Sequence, residues 1–251
     1  MCPYIHTPIG DLSIFTCCAA LGIVSMFVGV YLVLRRSAYR EREINYIVPK
    51  IAIAGLCGFL FAVFTDFVFK YIRYGVVKVY GMAFYGALIG ASAAMYLLLK
   101  YSKGRTEYTM GEWFDMLTPP FLCFHFWGRI GCFFGGCCYG LHLDSAFSVT
   151  FPDNVEMGII HNGMKCLPTQ LFEAAAIMVI LLIVCYSRRK YLTYIVLYAV
   201  VRFALEFLRG DDRGYAFGWL SPAQVISILI LSVVGIWGLF DRSKRNKRVP
   251  R

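Results

Sequence analysis

A chain of 251 residues that is 59% hydrophobic, 17% aromatic and only 16% charged cannot hide its apolar side chains inside a soluble globule. Apolar stretches of about 20 residues, the length that matches the hydrocarbon layer of a bilayer, recur along the sequence, and mean hydropathy is +0.63. The net charge of +10 would suit nucleic acid or an anionic lipid surface, but its distribution, set out below, excludes the nucleic-acid reading.

Taken in chain order, the first ten residues, MCPYIHTPIG, lack a basic segment and hold two prolines, so no cleavable leader is expected. Hydropathy then predicts seven helices at about 11–34, 49–71, 80–99, 112–136, 168–187, 191–208 and 222–240. The connecting segments 35–50, 100–105, 188–190 and 241–251 carry five, three, three and six Lys or Arg, 17 altogether. The alternate segments carry six: Lys70, Arg73, Lys78, Lys165, Arg209 and Arg213. This asymmetry predicts an all-α integral membrane protein with its N-terminus outside and its C-terminus cytoplasmic. The basic tail DRSKRNKRVPR then contacts headgroups and is no DNA arm.

The expected organisation is one polytopic membrane domain over 1–251. Its one long connection, 139–167, is polar, holds the alternating run AFSVTF and carries turn signals at Pro152 and Asn162-Gly163. It is expected to form a small outer cap, and structured loops of this length usually serve function. Pro119-Pro120 predicts a kink or a break in the fourth helix. No internal repeat is evident, which weighs against inverted-repeat transporters.

Ionisable side chains inside a bilayer cost several kcal/mol unless they meet water or a partner, and this chain places them near the outer ends of its helices. Arg129 follows Gly128 late in the fourth helix. Tyr198, Arg202, Glu206 and Arg209 share one face of the sixth by their spacing of four, four and three. Glu173 falls in the first turn of the fifth, after the helix start Pro168-Thr169-Gln170. An Arg202–Glu206 ion pair with the remaining charges reaching for the interface is the purely structural reading. Three arginines beneath an outer cap instead suit an anionic headgroup, because guanidinium grips phosphate through two parallel hydrogen bonds. The glycines of GRIGCFFGGCCYG over 128–140 allow close backbone approach or tight helix packing. Tyr85 reads as an interfacial anchor or as a polar catalytic group, the anchor being favoured.

Ten cysteines are present. Cys2, Cys17, Cys18, Cys57, Cys123 and Cys185 lie in or near apolar runs, where Cys behaves as a small hydrophobe. Cys132, Cys137 and Cys138, with His125 and His142, are a candidate metal cluster. The spacing matches no common zinc arrangement, and neighbouring cysteines do not readily share an ion, so no metal or other cofactor is expected. A disulfide through Cys166 is a further option.

Together these segments resemble the prolipoprotein diacylglyceryl transferase family of bacterial inner membranes. GMAFYGALIG over 81–90 is similar to G-x-x-F-H-G-G-L-I-G, and 128–140 to the signature G-R-x-G-N-F-x-N-x-E-x-x-G. LPTQLFEA over 167–174 resembles H-P-[ST]-Q-L-Y-E; YAVVRFALEFLR over 198–209 resembles Y-x-x-x-R-x-x-x-E-F-x-R; SPAQVISI over 221–228 resembles S-x-x-Q-x-x-S-I. The likeness covers most of the chain after about residue 80, with the elements in the family's order.

The resemblance implies transfer of a diacylglyceryl group from phosphatidylglycerol to the lipobox cysteine of a preprolipoprotein at the outer face of the membrane. It implies Tyr85, Arg129, Arg202 and Glu206 as the catalytic set. Gly128, Gly140, Gln170, Glu173, Tyr198 and Arg209 are implied to bind substrate. Departures fall on the chemistry: Tyr85 and Leu167 replace the motif histidines, Cys132 and Gly135 the signature asparagines, and Cys137 the glutamate, while Cys17 stands loosely where a first-helix tyrosine is expected. The phosphate-binding half is kept and the thiol-activating half altered. The alternatives are an anionic-lipid binder or carrier without catalysis, a paralogous transferase with another acceptor, and an enzyme using Cys137 or Cys138 as its own nucleophile.

Overall fold

A computed structural model describes residues 4–7, 10–35, 37–74, 83–102, 106–151, 153, 162–210 and 220–246. Cys2, Lys78, Gly81, Pro152 and Arg213 lie outside the described residues. Seven α-helices are present among those described: α1 (Ile14–Leu34), α2 (Arg40–Tyr74), α3 (Phe84–Lys100), α4 (Met110–Phe134), α5 (Thr169–Tyr186), α6 (Lys190–Leu205) and α7 (Pro222–Asn246). Four strands accompany them: β1 (Tyr4–Thr7) and β2 (Gly10–Ser13), then β3 (Val149–Thr150) and β4 (Lys165–Cys166), each pair antiparallel.

Four segments, Ile14–Leu34, Arg40–Val68, Thr169–Tyr186 and Lys190–Leu208, are long and apolar enough to cross a membrane. α3 and the described part of α7 are apolar but shorter. α4 has the length, but Pro119-Pro120, His125 and Arg129 dilute its apolar run. Large apolar side chains also point outward in quantity, including Leu21, Val24 and Val28 on α1, Leu56 and Phe64 on α2, and Val179 and Leu182 on α5. Such surface is a liability in water and the required exterior in lipid. The chain is a helical membrane protein.

Three expectations change. The first helix starts at Ile14 rather than 11, because Gly10–Ser13 pair with Tyr4–Thr7 as a hairpin. The second starts at Arg40 rather than 49 and runs through Pro49. Its extra turns are charged, and they are held by Glu43, whose buried carboxylate accepts hydrogen bonds from Thr106 Oγ1 (2.6 Å), the Glu107 backbone N–H (3.2 Å) and Arg42 Nη2 (3.0 Å). The fourth helix is not broken at Pro119-Pro120, since α4 is continuous from Met110 to Phe134.

The chain forms two compact units, Val30–Leu117 and the combination of Met1–Gly29 with Thr118–Arg251. In the first, α2 and α3 pack through small residues. A Cβ on Gly86 would lie 2.6 Å from Thr65 Oγ1, and one on Gly58 2.9 Å from the Ala87 carbonyl. These backbones approach so closely only because side chains are absent there. Beside Glu43, Trp113 donates its indole N–H to Thr106 Oγ1 at 3.2 Å and stacks on Tyr46. Thr109 and Glu112 cap the start of α4, Thr109 N donating to Glu112 Oε2 at 2.8 Å.

In the second unit, α5 packs on α6 and α6 on α7. Ile177, Ile180 and Val184 of α5 are buried, as are Tyr194, Tyr198 and Ala199 of α6. α7 opens on a reciprocal box: Ser221 N donates to Gln224 Oε1 (3.0 Å), and Gln224 N to Ser221 Oγ (3.2 Å). The 139–167 segment contains the β3–β4 ladder, with Phe151 buried against Phe133. Asn162 and Gly163 both adopt positive φ, 51° and 70°, as the Asn-Gly turn signal requires.

Candidate active site

Three helices of the second unit bring their buried polar residues together at one end. α4 supplies Arg129, α5 supplies Gln170 and Glu173, and α6 supplies Tyr198 and Arg202, all buried. Glu173 is the junction. Its Oε1 accepts an ion-paired contact from Arg129 Nη2 at 2.9 Å and a hydrogen bond from the Tyr198 hydroxyl at 2.6 Å. Arg129 Nη2 also lies 3.4 Å from Tyr198 Oη. One carboxylate thus ties three helices.

Arg202 pairs with Glu206 one turn later, Nη2 to Oε2 at 2.6 Å. α6 tightens there into a 3-10 turn, Glu206–Leu208, and Arg209 Nε comes to 3.9 Å from the same oxygen. The i, i+4, i+7 stripe read in the sequence is therefore a chain of alternating charge. Arg202 also lies within electrostatic reach of Glu173, linking the two groups. Arg202 Nη1 and Gln170 Oε1 are among the buried polar atoms that have no hydrogen-bond partner in the described residues. A buried guanidinium N–H left unmatched costs free energy unless a ligand or water meets it.

The loop after α4 is fastened from below. Gln170 Nε2 donates to the Cys137 carbonyl at 2.7 Å, and Thr169 Oγ1 to the Cys138 carbonyl at 2.8 Å. Gly140 N donates to Leu167 O (2.8 Å), Leu141 N to Leu208 O (2.9 Å), and Gly210 N to Tyr139 O (3.1 Å). The start of the cap is thereby stitched to the beginning of α5 and the end of α6. A Cβ on Gly140 would fall 2.7 Å from Leu167 Cβ, the Leu208 carbonyl and Thr169 Cγ2, so only glycine fits. At Gly128 a Cβ would meet nothing, so no neighbour demands glycine there.

Tyr85 belongs to the Val30–Leu117 unit, where it is 5% exposed at the start of α3. That burial removes the favoured interfacial-anchor reading, which needs an exposed ring. His125 does not join the cysteine cluster: it is buried, its Nδ1 is 3.5 Å from the Tyr194 hydroxyl, and its ring meets Tyr198 edge-on at 5.0 Å. His142 sits instead 3.3 Å from Cys166 Sγ. Cys166 forms no disulfide, nor does any other described cysteine. Burial pushes the Cys166 thiol up.

The sulfurs of Cys132, Cys137 and Cys138 do converge, all within 4.8 Å of one another. The adjacent pair thus turns both sulfurs toward one point. Cys138 adopts φ 64° and Gly136 φ 71°, and this left-handed turn folds the loop back. Contact with Cys132 and Cys138 pushes the Cys137 thiol far above its usual range. Thr169 and Tyr194 are the neighbours of the buried polar cluster that the sequence does not single out as site residues; the i, i+4 spacing of Tyr194 and Tyr198 is the available signal.

The family profile described as Prolipoprotein diacylglyceryl transferase matches residues 5–240. A phosphatidylglycerol–prolipoprotein diacylglyceryl transferase of Dehalococcoides mccartyi is 25% identical, covering 91% of this chain and 88% of its own length. One from Nitratidesulfovibrio vulgaris is 31% identical over 77% of this chain and 74% of its own. A second-numbered enzyme of that name from Clostridium perfringens is 33% identical over 60% and 59%. The five motif elements, the match across nearly the whole chain and the buried arginine cluster converge: the chain belongs to the prolipoprotein diacylglyceryl transferase family.

Proposed function

We propose that this protein transfers the diacylglyceryl group of phosphatidylglycerol to the lipobox cysteine thiol of a prolipoprotein, at the outer face of a bacterial inner membrane. The observation that carries the reading is the buried charge chain Arg129–Glu173–Tyr198 and Arg202–Glu206–Arg209, with Arg202 Nη1 left to donate. A headgroup phosphate meets that donor's geometry.

In the reaction the glycerol C–O bond to phosphate breaks and a C–S bond forms. Charge builds on the departing phosphate, and Arg129, Arg202 and Arg209 stabilise it as fixed positive charge. The thiol gives up its proton as the phosphate gains its second charge, and the released glycerol phosphate is a base able to take it. Glu206 and Glu173 are positioning residues, orienting Arg202 and Arg129. Gln170 and Gly140 set the loop above the site, Tyr198 holds Glu173, and the open space at Gly128 leaves room beside Arg129. Tyr85, in the Val30–Leu117 unit, is proposed as a catalytic residue on the family resemblance alone.

Seven membrane crossings, an outer N-terminus, a cytoplasmic C-terminus and a single membrane domain belong to the same proposal, supported by the 17-to-six distribution of Lys and Arg. Purified protein incubated with phosphatidylglycerol and a lipobox peptide should add one diacylglyceryl unit to the peptide, read by mass. No addition, where another family member is active, rejects it. Complementation of a strain depleted of its own transferase tests the same activity in cells.

A further inference from the structure

Cys132 lies in the last turn of α4, and Cys137 and Cys138 follow the Gly135-Gly136 turn. Their three sulfurs stand within 4.8 Å of one another. Three thiolates around one ion at about 2.3 Å are separated from each other by roughly 3.8–4.0 Å, so closure needs only a small inward movement. The loop is already shaped for it: Gly136 and Cys138 hold left-handed φ, and Gln170 and Thr169 anchor the two cysteine carbonyls. These anchors act on backbone and leave the sulfurs to face each other.

The donor set is sulfur alone, since His125 and His142 are placed elsewhere. Soft thiolates select thiophilic ions such as Zn²⁺ or Cu⁺ over Mg²⁺ or Ca²⁺. Arg129, three residues before Cys132 on the same face of α4, supplies positive charge beside an anionic tris-thiolate. We propose that Cys132, Cys137 and Cys138 form a binding site for one thiophilic metal ion. Each thiol releases its proton to solvent as it ligates. The site rests on sulfur geometry and stands independently of the transferase reading.

The test is anaerobic titration of the reduced, full-length protein in detergent with Co²⁺. One equivalent should bind with a thiolate-to-cobalt charge-transfer band in the near ultraviolet, and Zn²⁺ should displace it. Cys132→Ser, Cys137→Ser and Cys138→Ser should each weaken binding by roughly tenfold or more, whereas Cys57→Ser and Cys185→Ser should not. Because a variant can fail to fold, a second measurement uses the unaltered chain. Zn²⁺ should protect these three thiols from alkylation, with the protected positions mapped by mass spectrometry. Absence of the band, protection mapping to other cysteines, or undiminished binding by Cys137→Ser and Cys138→Ser overturns the proposal.

Discussion

Each unit of the molecule buries a glutamate, and the two carboxylates are treated differently. Glu43 is enclosed within its own unit: a hydroxyl, a backbone N–H and a guanidinium satisfy it. Its neighbours Thr106 and Trp113 are joined by the indole N–H, and among the described residues no buried side-chain atom of that knot lacks a hydrogen-bond partner. Glu173 also has two strong partners, but the buried polar groups around it include Arg202 Nη1 and Gln170 Oε1, which have no hydrogen-bond partner among the described residues. A buried charge that closes on itself fixes structure. One whose chain ends in unspent hydrogen-bonding capacity is built for something that arrives.

Four substitutions sharpen or break this contrast. Glu173→Ala removes the carboxylate that buried Arg129 pairs with and should cost about 3–5 kcal/mol of stability, read as thermal unfolding in detergent, with transfer lost. Arg202→Ala removes a group proposed to meet the phosphate. Thioether formation should fall about 100- to 1,000-fold, while unfolding shifts less than for Glu173→Ala; equal loss of both would make Arg202 a structural ion like the Glu43 knot. Glu43→Ala should do the converse, lowering stability by about 1–3 kcal/mol while folded protein keeps its turnover. A large drop in turnover per folded molecule would break the division between the units. Lys165→Ala removes only the exposed Lys165–Asp144 pair of 2.7 Å, and should change unfolding by about 0–1 kcal/mol.

The helices were legible because apolar runs and their interruptions are local. α5 begins at Thr169, directly after Pro168, and the Arg202–Glu206 pair follows from a spacing of four. What escaped is what depends on partners far along the chain. The early start of α2 rests on Glu43 finding Thr106, which outweighs the propensity cost of Pro49. Glu173 was placed on the right helix end, but its pairing with Arg129 across helices has no signature in either local sequence. The three cysteines converge through the left-handed φ of Cys138, a conformation that spacing rules do not anticipate for a non-glycine residue.

The Arg129–Glu173 pair also bears on how the chain is made. α4 leaves the ribosome before α5, so its arginine reaches the membrane while its counter-ion is still unsynthesised. An arginine within a membrane helix raises the cost of insertion, and α4 is not among the four described helices that are long and apolar enough by composition to cross a membrane. Until α5 is made, Arg129 has no Glu173 to pair with. The site's central ion pair therefore forms only after both helices exist, which makes it a late step of assembly rather than a local one.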